Sequence, residues 1–370
     1  MGRGSGSVAG EAKANRRRSS TDGEMTNADR YQKFMKEHLR VIYLTTDEEV
    51  KATAKYIRSL EPSLVGLDVE TASKNGSFGT FNGSLRTIQL GFDEPERGIG
   101  PLQVVIDCHS CDPRPFLPLL RTRNVEKQIH YMDFEQEWAL LHLGISIGQI
   151  YDTCIASQEI QKGLKEVAKK EGLKAAQKID PDWAPKRSAK DEDEEGARLR
   201  QIMDEEGLKA AQKILPNWEP HRNKLSTLAT NYLHLELPKE NQVSDWGRKE
   251  LQADQLVYAA MDVATLPELT EKLKEVAAKL TSTTKQGEEI SVTEAIDRRI
   301  AWVKTKIYER ATKRKRENND DTKRLARAVK RATTRDELDR IAACSRQMTI
   351  LAENSSDLAE LLKERRRELA

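Results

Sequence analysis

Cysteine is scarce in this chain, with only 4 residues in 370. Disulfide-stapled secreted domains need a far higher density of cysteine, so the composition excludes such a scaffold and favours a reducing, cytoplasmic compartment. Cys108 and Cys111 have the C-x-x-C spacing, but no second pair follows that would complete a zinc site. We interpret this pair as the end of a strand, with zinc or redox chemistry as the alternative.

Long apolar runs are also missing. No stretch approaches the roughly 20 apolar residues that a membrane-spanning helix needs, and no apolar core of a signal peptide follows the start. The sequence therefore predicts no membrane partner. Charged residues make up 33% of the chain, which is high for a wholly compact protein and predicts exposed helical or disordered segments.

Charge and composition change along the chain, although the net charge is only +2. Residues 1–30 contain little that is apolar and are predicted to be a disordered basic tail. Residues 38–280 carry globular patterning, polar residues 281–289 predict a flexible boundary, and residues 290–370 predict a basic helical region. A basic cluster in that region predicts nucleic-acid binding; its members are Arg298, Lys313, Arg314, Lys315 and Arg316.

The apolar pattern of the globular part indicates strands first and helices later. Three early strands lie close together with turn residues between them, which favours an antiparallel meander. Two later strands alternate with helices, which implies parallel neighbours covered by helices. The sequence therefore predicts an α/β fold with a mixed sheet flanked by helices. The strands are expected at 41–44, 64–71, 86–92, 103–107, 127–130 and 150–153.

An internal repeat occupies the middle of the chain, at 160–222, and predicts a helical insert. Glu171–Ile179 returns unchanged as Glu206–Ile214, and each copy is followed by a Pro-x-Trp-x-Pro pattern. We expect Trp183 and Trp218 to pack back onto their own helices. The alternative is that they stack on nucleic-acid bases.

Chemistry is indicated first by the stretch Leu64–Thr71. Side chains alternate between the faces of a strand, so Asp68 and Glu70 project from the same face. Two like charges on an otherwise apolar strand repel each other, and a hard divalent cation such as Mg²⁺ or Mn²⁺ reverses that cost. By themselves, the two carboxylates are more typical of a merely polar strand end, because a D-x-E tripeptide is common by chance.

Two later segments supply further carboxylates. Tyr258 and Asp262 stand four residues apart on a predicted helix and therefore face the same way, as they would on any Tyr–Asp helix face. His130 is followed by Asp133 and Glu135 at a strand-to-helix turn, where acidic residues also serve as ordinary helix caps.

Together and in this order, Gly66–Thr71, His130–Trp138 and Gln255–Val263 resemble the three motifs of the DEDD superfamily of 3′–5′ exonucleases. The spacing of Tyr258 and Asp262 is typical of the branch that uses tyrosine rather than histidine. Residues between 225 and 246 are similar to the connecting region of ribonuclease D, and the proofreading exonuclease of DNA polymerase I is a more distant relative. The resemblance covers about residues 40–275 without the insert, and it implies a ribonuclease H-like fold.

This resemblance implies a reaction and the residues that carry it out. The reaction is two-metal hydrolysis of a phosphodiester bond at the 3′ end of single-stranded RNA or DNA. Two Mg²⁺ or Mn²⁺ ions would be held by Asp68, Glu70, Glu135 and Asp262, and Tyr258 would orient the attacking water. Where the family carries an aspartate in its second motif, this chain has Glu135, and Asp133 is the alternative ligand.

Two other functions remain open at this stage. The glutamate at position 135 motivates a weak or inactive exonuclease fold that acts as a nucleic-acid-binding protein. A stand-alone proofreading module that serves a separate DNA polymerase is the other, so a polymerase or an RNA-processing protein is a candidate partner.

Overall fold

A computed structural model describes residues 26–73, 83–186, 188–237, 244–331, 333–334 and 356–369. Most of the predicted basic tail at 1–30 lies outside these ranges. The helices are α1 (Asn27–His38), α2 (Asp47–Leu60), α3 (Leu117–Arg121), α4 (Asp133–Trp138), α5 (Thr153–Gln177), α6 (Glu194–Ile214), α7 (Leu225–Leu228), α8 (Ala253–Ala264), α9 (Leu266–Ala277), α10 (Val292–Arg331) and α11 (Ser356–Glu368). Short 3₁₀ turns lie at Pro95–Arg97, Arg114–Phe116 and Ala189–Asp191, and α4 and α7 each continue into a π-helical turn, at Ala139–Leu143 and Ala229–Leu233.

The described residues build a mixed sheet from six strands, β1 (Val41–Leu44), β2 (Leu64–Ser73), β3 (Gly83–Glu94), β4 (Ile99–Asp107), β5 (Glu126–Ile129) and β6 (Gln149–Asp152). The order of the strands in this sheet is β1-β4-β3-β2-β5-β6. Its antiparallel centre is the meander of β2, β3 and β4. The edge strand β1 runs parallel to β4, and β5 and β6 continue parallel from β2. Both the meander and the parallel extension confirm the fold class expected from the sequence.

The two faces of β2 have different neighbours. Val65 and Leu67 are buried in a large apolar cluster that includes residues of α2. The opposite face, which begins at Gly66, lies against the backbone of α8 at Val263. The alternation of apolar and acidic residues along β2 thus separates a core face from the face that carries Asp68 and Glu70.

The repeat forms two long neighbouring helices, α5 and α6, which pack against each other through reciprocal contacts of equivalent positions. A Cβ on Gly172 would lie 2.0 Å from the Met203 carbonyl oxygen, and one on Gly207 would lie 2.4 Å from the Ala168 carbonyl oxygen. Only glycine permits so close an approach at these two equivalent positions. Trp183 and Trp218 are 9% and 4% exposed, so each indole packs inside the insert and cannot serve as a stacking surface for bases.

Residues 281–289, which the sequence predicted to be a flexible boundary, instead contain most of a hairpin of β7 (Thr281–Thr283) and β8 (Glu289–Ser291). Glu166 of α5 accepts a hydrogen bond from the Thr283 backbone N–H at 2.9 Å, which ties the hairpin to the insert. No helix in the described ranges is both long and apolar enough to cross a bilayer.

Candidate active site

Two glycines bring α8 onto the acidic face of the sheet. Gly66 of β2 and Gly91 of β3 are register partners. A Cβ on either residue would lie within 3 Å of the Val263 carbonyl oxygen, at 2.8 Å for Gly66 and 2.6 Å for Gly91. Because neither glycine has a side chain, α8 approaches the sheet closely and carries Asp262 to the carboxylates of β2.

Asp68, Glu70 and Asp262 form a compact carboxylate cluster. Each offers one oxygen atom, and these three atoms lie within 4.8 Å of one another. It is the one group of at least three potential metal ligands among the described residues. The pair Cys108 and Cys111 belongs to no such group in the described part of the chain and directly follows β4, which ends at Asp107.

The second-motif helix places Glu135, not Asp133, at this cluster. Glu135 is 5% exposed and shares a hydrogen bond with Asp68, while its Oε2 atom is buried with no partner among the described residues. Asp133 points away and accepts a hydrogen bond at 2.9 Å from Arg310 of α10. The longer side chain at position 135 therefore reaches the site, and the alternative ligand Asp133 is engaged elsewhere.

The four carboxyls are buried, and burial is the main cause that raises their pKa values. Burial raises the pKa of Asp68 to about 6, against hydrogen bonds that lower it. Burial first, and then the charge of Asp68, raises the pKa of Glu70, of Glu135 and of Asp262 well above the ordinary range. The ionised form of each of these four carboxyls is therefore disfavoured. Such a cluster is typical of a divalent-cation site before the cation binds.

Tyr258 completes the set from the same helix as Asp262. Its phenol donates a hydrogen bond to Asp262, and burial together with the neighbouring carboxylates raises its pKa far above the ordinary value. The ring also lies 6.4 Å from that of Trp246, measured between centroids. Tyr258 is therefore a protonated hydrogen-bond donor at neutral pH, and it is positioned by the polar segment that precedes α8.

A cavity of about 270 Å³ opens above the cluster. Leu67, Leu225 and Leu266 contribute apolar wall, and Lys224 contributes a cation. His130 also lines the cavity; its Nδ1 lies 2.9 Å from the Thr153 hydroxyl, and burial lowers the pKa of its imidazole to about 4. His130 is accordingly neutral at neutral pH, and Lys224 supplies positive charge at the cavity.

Helix α4 is held from outside by α10. Arg310 donates to Glu137 at 3.1 Å and to Asp133 at 2.9 Å, and Arg314 donates to Glu137 at 2.6 Å. Glu135 lies between these two acidic residues in sequence and points the other way, toward Asp68. The ion pairs therefore fix the rotation of the short helix that presents Glu135.

The basic residues that the sequence selected for nucleic-acid binding are largely engaged within the protein. Arg314 is paired with Glu137, and Arg298 pairs with Glu288 and Glu294 at exposed positions. Lys313 also has an interaction partner. The side chains of Lys315 and Arg316 lie outside the described part of the structure. The role of this cluster in binding nucleic acid stays a prediction.

Sequence reasoning missed one supporting residue, Asp152. Its carboxylate accepts hydrogen bonds from the backbone N–H of Met132 at 2.6 Å and of Ile155 at 2.9 Å. It thus caps α5 and anchors the turn that precedes α4. An acidic residue directly before a helix was visible in the sequence, but its contact with Met132, 20 residues away, was not.

Residues 41–278 match the 3′–5′ exonuclease domain family, and the chain belongs to that family. Among solved structures it is similar to Escherichia coli RNase D, with 17% identity over 87% of this chain and 69% of that chain and a TM-score of 0.48. Brucella melitensis NrnC shares 17% identity over 73% of this chain and 92% of that chain, with a TM-score of 0.44. The catalytic core of Trypanosoma brucei RRP6 shares 16% identity over 66% of this chain, which spans 50% of that core, with a TM-score of 0.43.

These likenesses concern the fold and leave the activity of this chain open. A comparison with curated protein sequences gave no significant match. The structure does bring Asp68, Glu70, Glu135, Tyr258 and Asp262 together in one place. Their roles in a reaction stay a prediction.

Proposed function

We propose that this protein is a metal-dependent 3′–5′ exonuclease of the tyrosine branch, acting on the 3′ end of single-stranded nucleic acid. The observation that carries the proposal is the carboxylate cluster of Asp68, Glu70 and Asp262, whose oxygens lie within 4.8 Å of one another. Glu135 joins it through Asp68, and Tyr258 joins it through Asp262.

The donor set fits two divalent cations of the Mg²⁺ or Mn²⁺ type. Carboxylate oxygens are the ligands that these hard ions prefer. The unpartnered Oε2 of Glu135 and the mutual repulsion of the cluster both indicate a positive charge to be accommodated there. Asp68, Glu70 and Asp262 would hold one ion, and Asp68 with Glu135 would hold the other.

Each remaining residue has a role that follows from its protonation state. When bound, the cations would lower the pKa of an attacking water and stabilise charge on the phosphate and leaving oxygens. Tyr258 keeps its proton, so it orients the water by hydrogen bonding and does not act as the base. Lys224 would attract the phosphate backbone, and neutral His130 would shape the cavity beside Asp68.

The proposal is tested by digestion of 5′-labelled single-stranded RNA and DNA with Mg²⁺, Mn²⁺ or EDTA. The wild type should produce a ladder that shortens from the 3′ end with metal and not with EDTA. Asp262→Asn should abolish the ladder, and Asp254→Asn, an exposed aspartate in the first turn of the same helix, should not.

If the protein bound the labelled strand but did not shorten it with either metal, the exonuclease proposal would be wrong and a nucleic-acid-binding protein would be favoured. Strong preference for a frayed DNA 3′ end would favour proofreading beside a polymerase, and preference for RNA would favour RNA processing. Discrimination between RNA and DNA depends on contacts to the 2′-hydroxyl. Both nucleic acids therefore belong in the same assay.

A further inference from the structure

A second polar groove runs along the outer face of α5, with a volume of about 470 Å³. Residues 158–169 of α5 form one side of it, and His221 and Asn223 form the other. At 1.5 Å per helical residue this side is about 16 Å long. The groove is therefore an elongated channel rather than a closed ligand cavity.

Three lysines of α5 line this groove. Lys162, Lys165 and Lys169 recur at spacings of three and four residues, so they share one face of the helix. The ammonium of Lys162 donates to the Thr283 carbonyl at 2.9 Å. Lys165 and Lys169 are exposed and have no ion-pair partner among the described residues.

The one acidic residue that lines the groove, Glu166, does not cancel this charge. Its carboxylate accepts hydrogen bonds from the backbone N–H and the hydroxyl of Thr283, at 2.9 Å and 3.3 Å. It also lies 3.9 Å from the ammonium of Lys162. Lys165 and Lys169 are thus left to act on a ligand from outside the protein.

One short segment, residues 221–224, contributes to the linings of both the groove and the active-site cavity. Asn223 lines the groove, accepts hydrogen bonds from Gln161 at 2.6 Å and Ser157 at 2.7 Å, and its backbone bonds to the imidazole of His130. The next residue, Lys224, lines the active-site cavity. A single chain segment therefore forms a wall of both cavities.

Cations elsewhere on the nearby helix α10 are differently placed. Arg299 donates to Glu159 at 2.5 Å, and Arg310 and Arg314 are bound to acidic residues of α4. These charges hold helices together. Lys165 and Lys169 of the α5 groove make no comparable ion pair within the described part of the chain.

We propose that the α5 groove binds the sugar-phosphate backbone of the substrate strand, upstream of the 3′ end that lies in the active site. The proposal rests on the proposed exonuclease function and adds the path of the substrate. Lys224 would receive the phosphates nearest the site, and Lys165 and Lys169 those farther along. The repeat insert thereby acquires a role, since its first helix carries the groove.

Contacts of this kind act only on substrates long enough to reach them. They are also independent of base sequence and sensitive to salt, because they act through phosphate charge. We expect a dinucleotide to occupy the active site without reaching the groove, and a strand of about 16 nucleotides, the upper end of typical single-strand site sizes, to extend along it.

The test compares the double variant Lys165→Glu/Lys169→Glu with Lys51→Glu/Lys55→Glu on α2. The control makes the same charge change at the same spacing on exposed lysines that line neither cavity. Each protein is assayed with metal on a dinucleotide and on the long strand. Binding of the labelled long strand is also measured in EDTA by fluorescence anisotropy.

The groove variant should bind the long strand at least about tenfold more weakly than the control at low salt, with unchanged hydrolysis of the dinucleotide. The milder Lys165→Gln/Lys169→Gln should reduce the slope of log affinity against log salt by about 1.4, or about 0.7 for each lost contact to a single strand. Equal binding by groove variant and control, or an equal loss on the dinucleotide, would overturn the proposal. Absence of all hydrolysis by the wild type would instead refute the exonuclease, and the anisotropy comparison would still decide the groove.

Discussion

Glu135 is a buried carboxylate whose contact with Asp68 depends on the length of its side chain. Its helix cannot easily shift to compensate, because Arg310 and Arg314 hold Glu137 and Asp152 anchors the preceding turn. The position of the carboxyl is therefore set by the glutamate itself.

We expect Glu135→Asp to lower kcat/KM on a labelled strand by about 100-fold, because displacement of a reacting group by about 1 Å costs that much. Glu135→Gln should be at least as damaging, since an uncharged amide loses the negative charge that attracts a divalent cation. Asp133→Asn, which changes a carboxylate bound to Arg310, should stay close to the wild type. Higher activity in Glu135→Asp than in the wild type would show that the glutamate impairs the site and is not the ligand that the site requires.

Asp262 illustrates a conflict between stability and metal binding. Its charge lies close to those of Asp68 and Glu70, so Asp262→Asn should stabilise the metal-free protein by about 1–3 kcal/mol through relief of repulsion. With the wild type, Mg²⁺ at about 100 times its Kd should add about 2.7 kcal/mol, and with the variant it should add little. Thermal unfolding with Mg²⁺ and with EDTA measures both effects, and equal metal-induced shifts in the two proteins would count against the assignment.

Lys127 provides a pH-dependent test of the sheet away from the site. Its ammonium is buried and donates to the carbonyls of Thr122 and Val125, and burial lowers its pKa to about 8. An unfolded lysine titrates near about 10.4, so between about pH 8 and 10.4 the unfolded chain binds more protons and stability rises with pH.

We therefore expect the wild type to gain about 1–3 kcal/mol relative to Lys127→Met as the pH rises through that window, and to lose it again as the pH falls through about 8. Urea unfolding at several pH values measures the difference. The exposed Lys51→Met is the control and should run parallel to the wild type. Parallel curves for Lys127→Met as well would contradict the lowered pKa.

At the scale of elements, the position of α8 on the sheet decides whether a site exists. Gly91→Ala would place a Cβ 2.6 Å from the Val263 carbonyl oxygen, and backbone cannot yield as a flexible side chain can. We expect lower stability by about 1–3 kcal/mol and loss of most activity, because Asp262 moves with the helix. Gly100→Ala, on β4 with no atom within 4 Å of the new Cβ, is the matched control and should be neutral in unfolding and digestion assays. Full activity in Gly91→Ala would show that activity does not depend on the close approach of α8 to the sheet.

What the sequence could predict differs between elements for physical reasons. The period of two along β2 placed Asp68 and Glu70 on one face, and a spacing of four placed Tyr258 and Asp262 together, because both depend only on local geometry. The pairing of Gly66 with Gly91 depends on the register between β2 and β3. That register cannot be predicted from the sequence of either strand by itself. The choice between Asp133 and Glu135 depended on Arg310, 177 residues beyond Asp133, so the second motif remained ambiguous in sequence.

At the scale of the whole molecule, basic residues of the insert and of the C-terminal helix differ in how far they are engaged within the protein. The segment from Arg298 onward has the more basic sequence, yet its described arginines mostly bind acidic residues of the protein, notably Glu159 and Glu137. The less conspicuous lysines of α5 face a groove beside the site. The sequence shows which charged residues are present. The structure is needed to show which of them are already paired within the protein.

In the proposed function, nucleotides are removed from the 3′ end by one cluster of side chains, Asp68, Glu70, Glu135, Tyr258 and Asp262. The most direct measurement compares two single strands of equal sequence, one labelled at the 3′ terminal nucleotide and one at the 5′ end, under single-turnover conditions with Mn²⁺. We expect the 3′ label to appear first as a mononucleotide, the 5′-labelled strand to shorten stepwise, and both processes to vanish in Asp262→Asn. Release of the 5′ label first, internal fragments, or the same products from Asp262→Asn would contradict it.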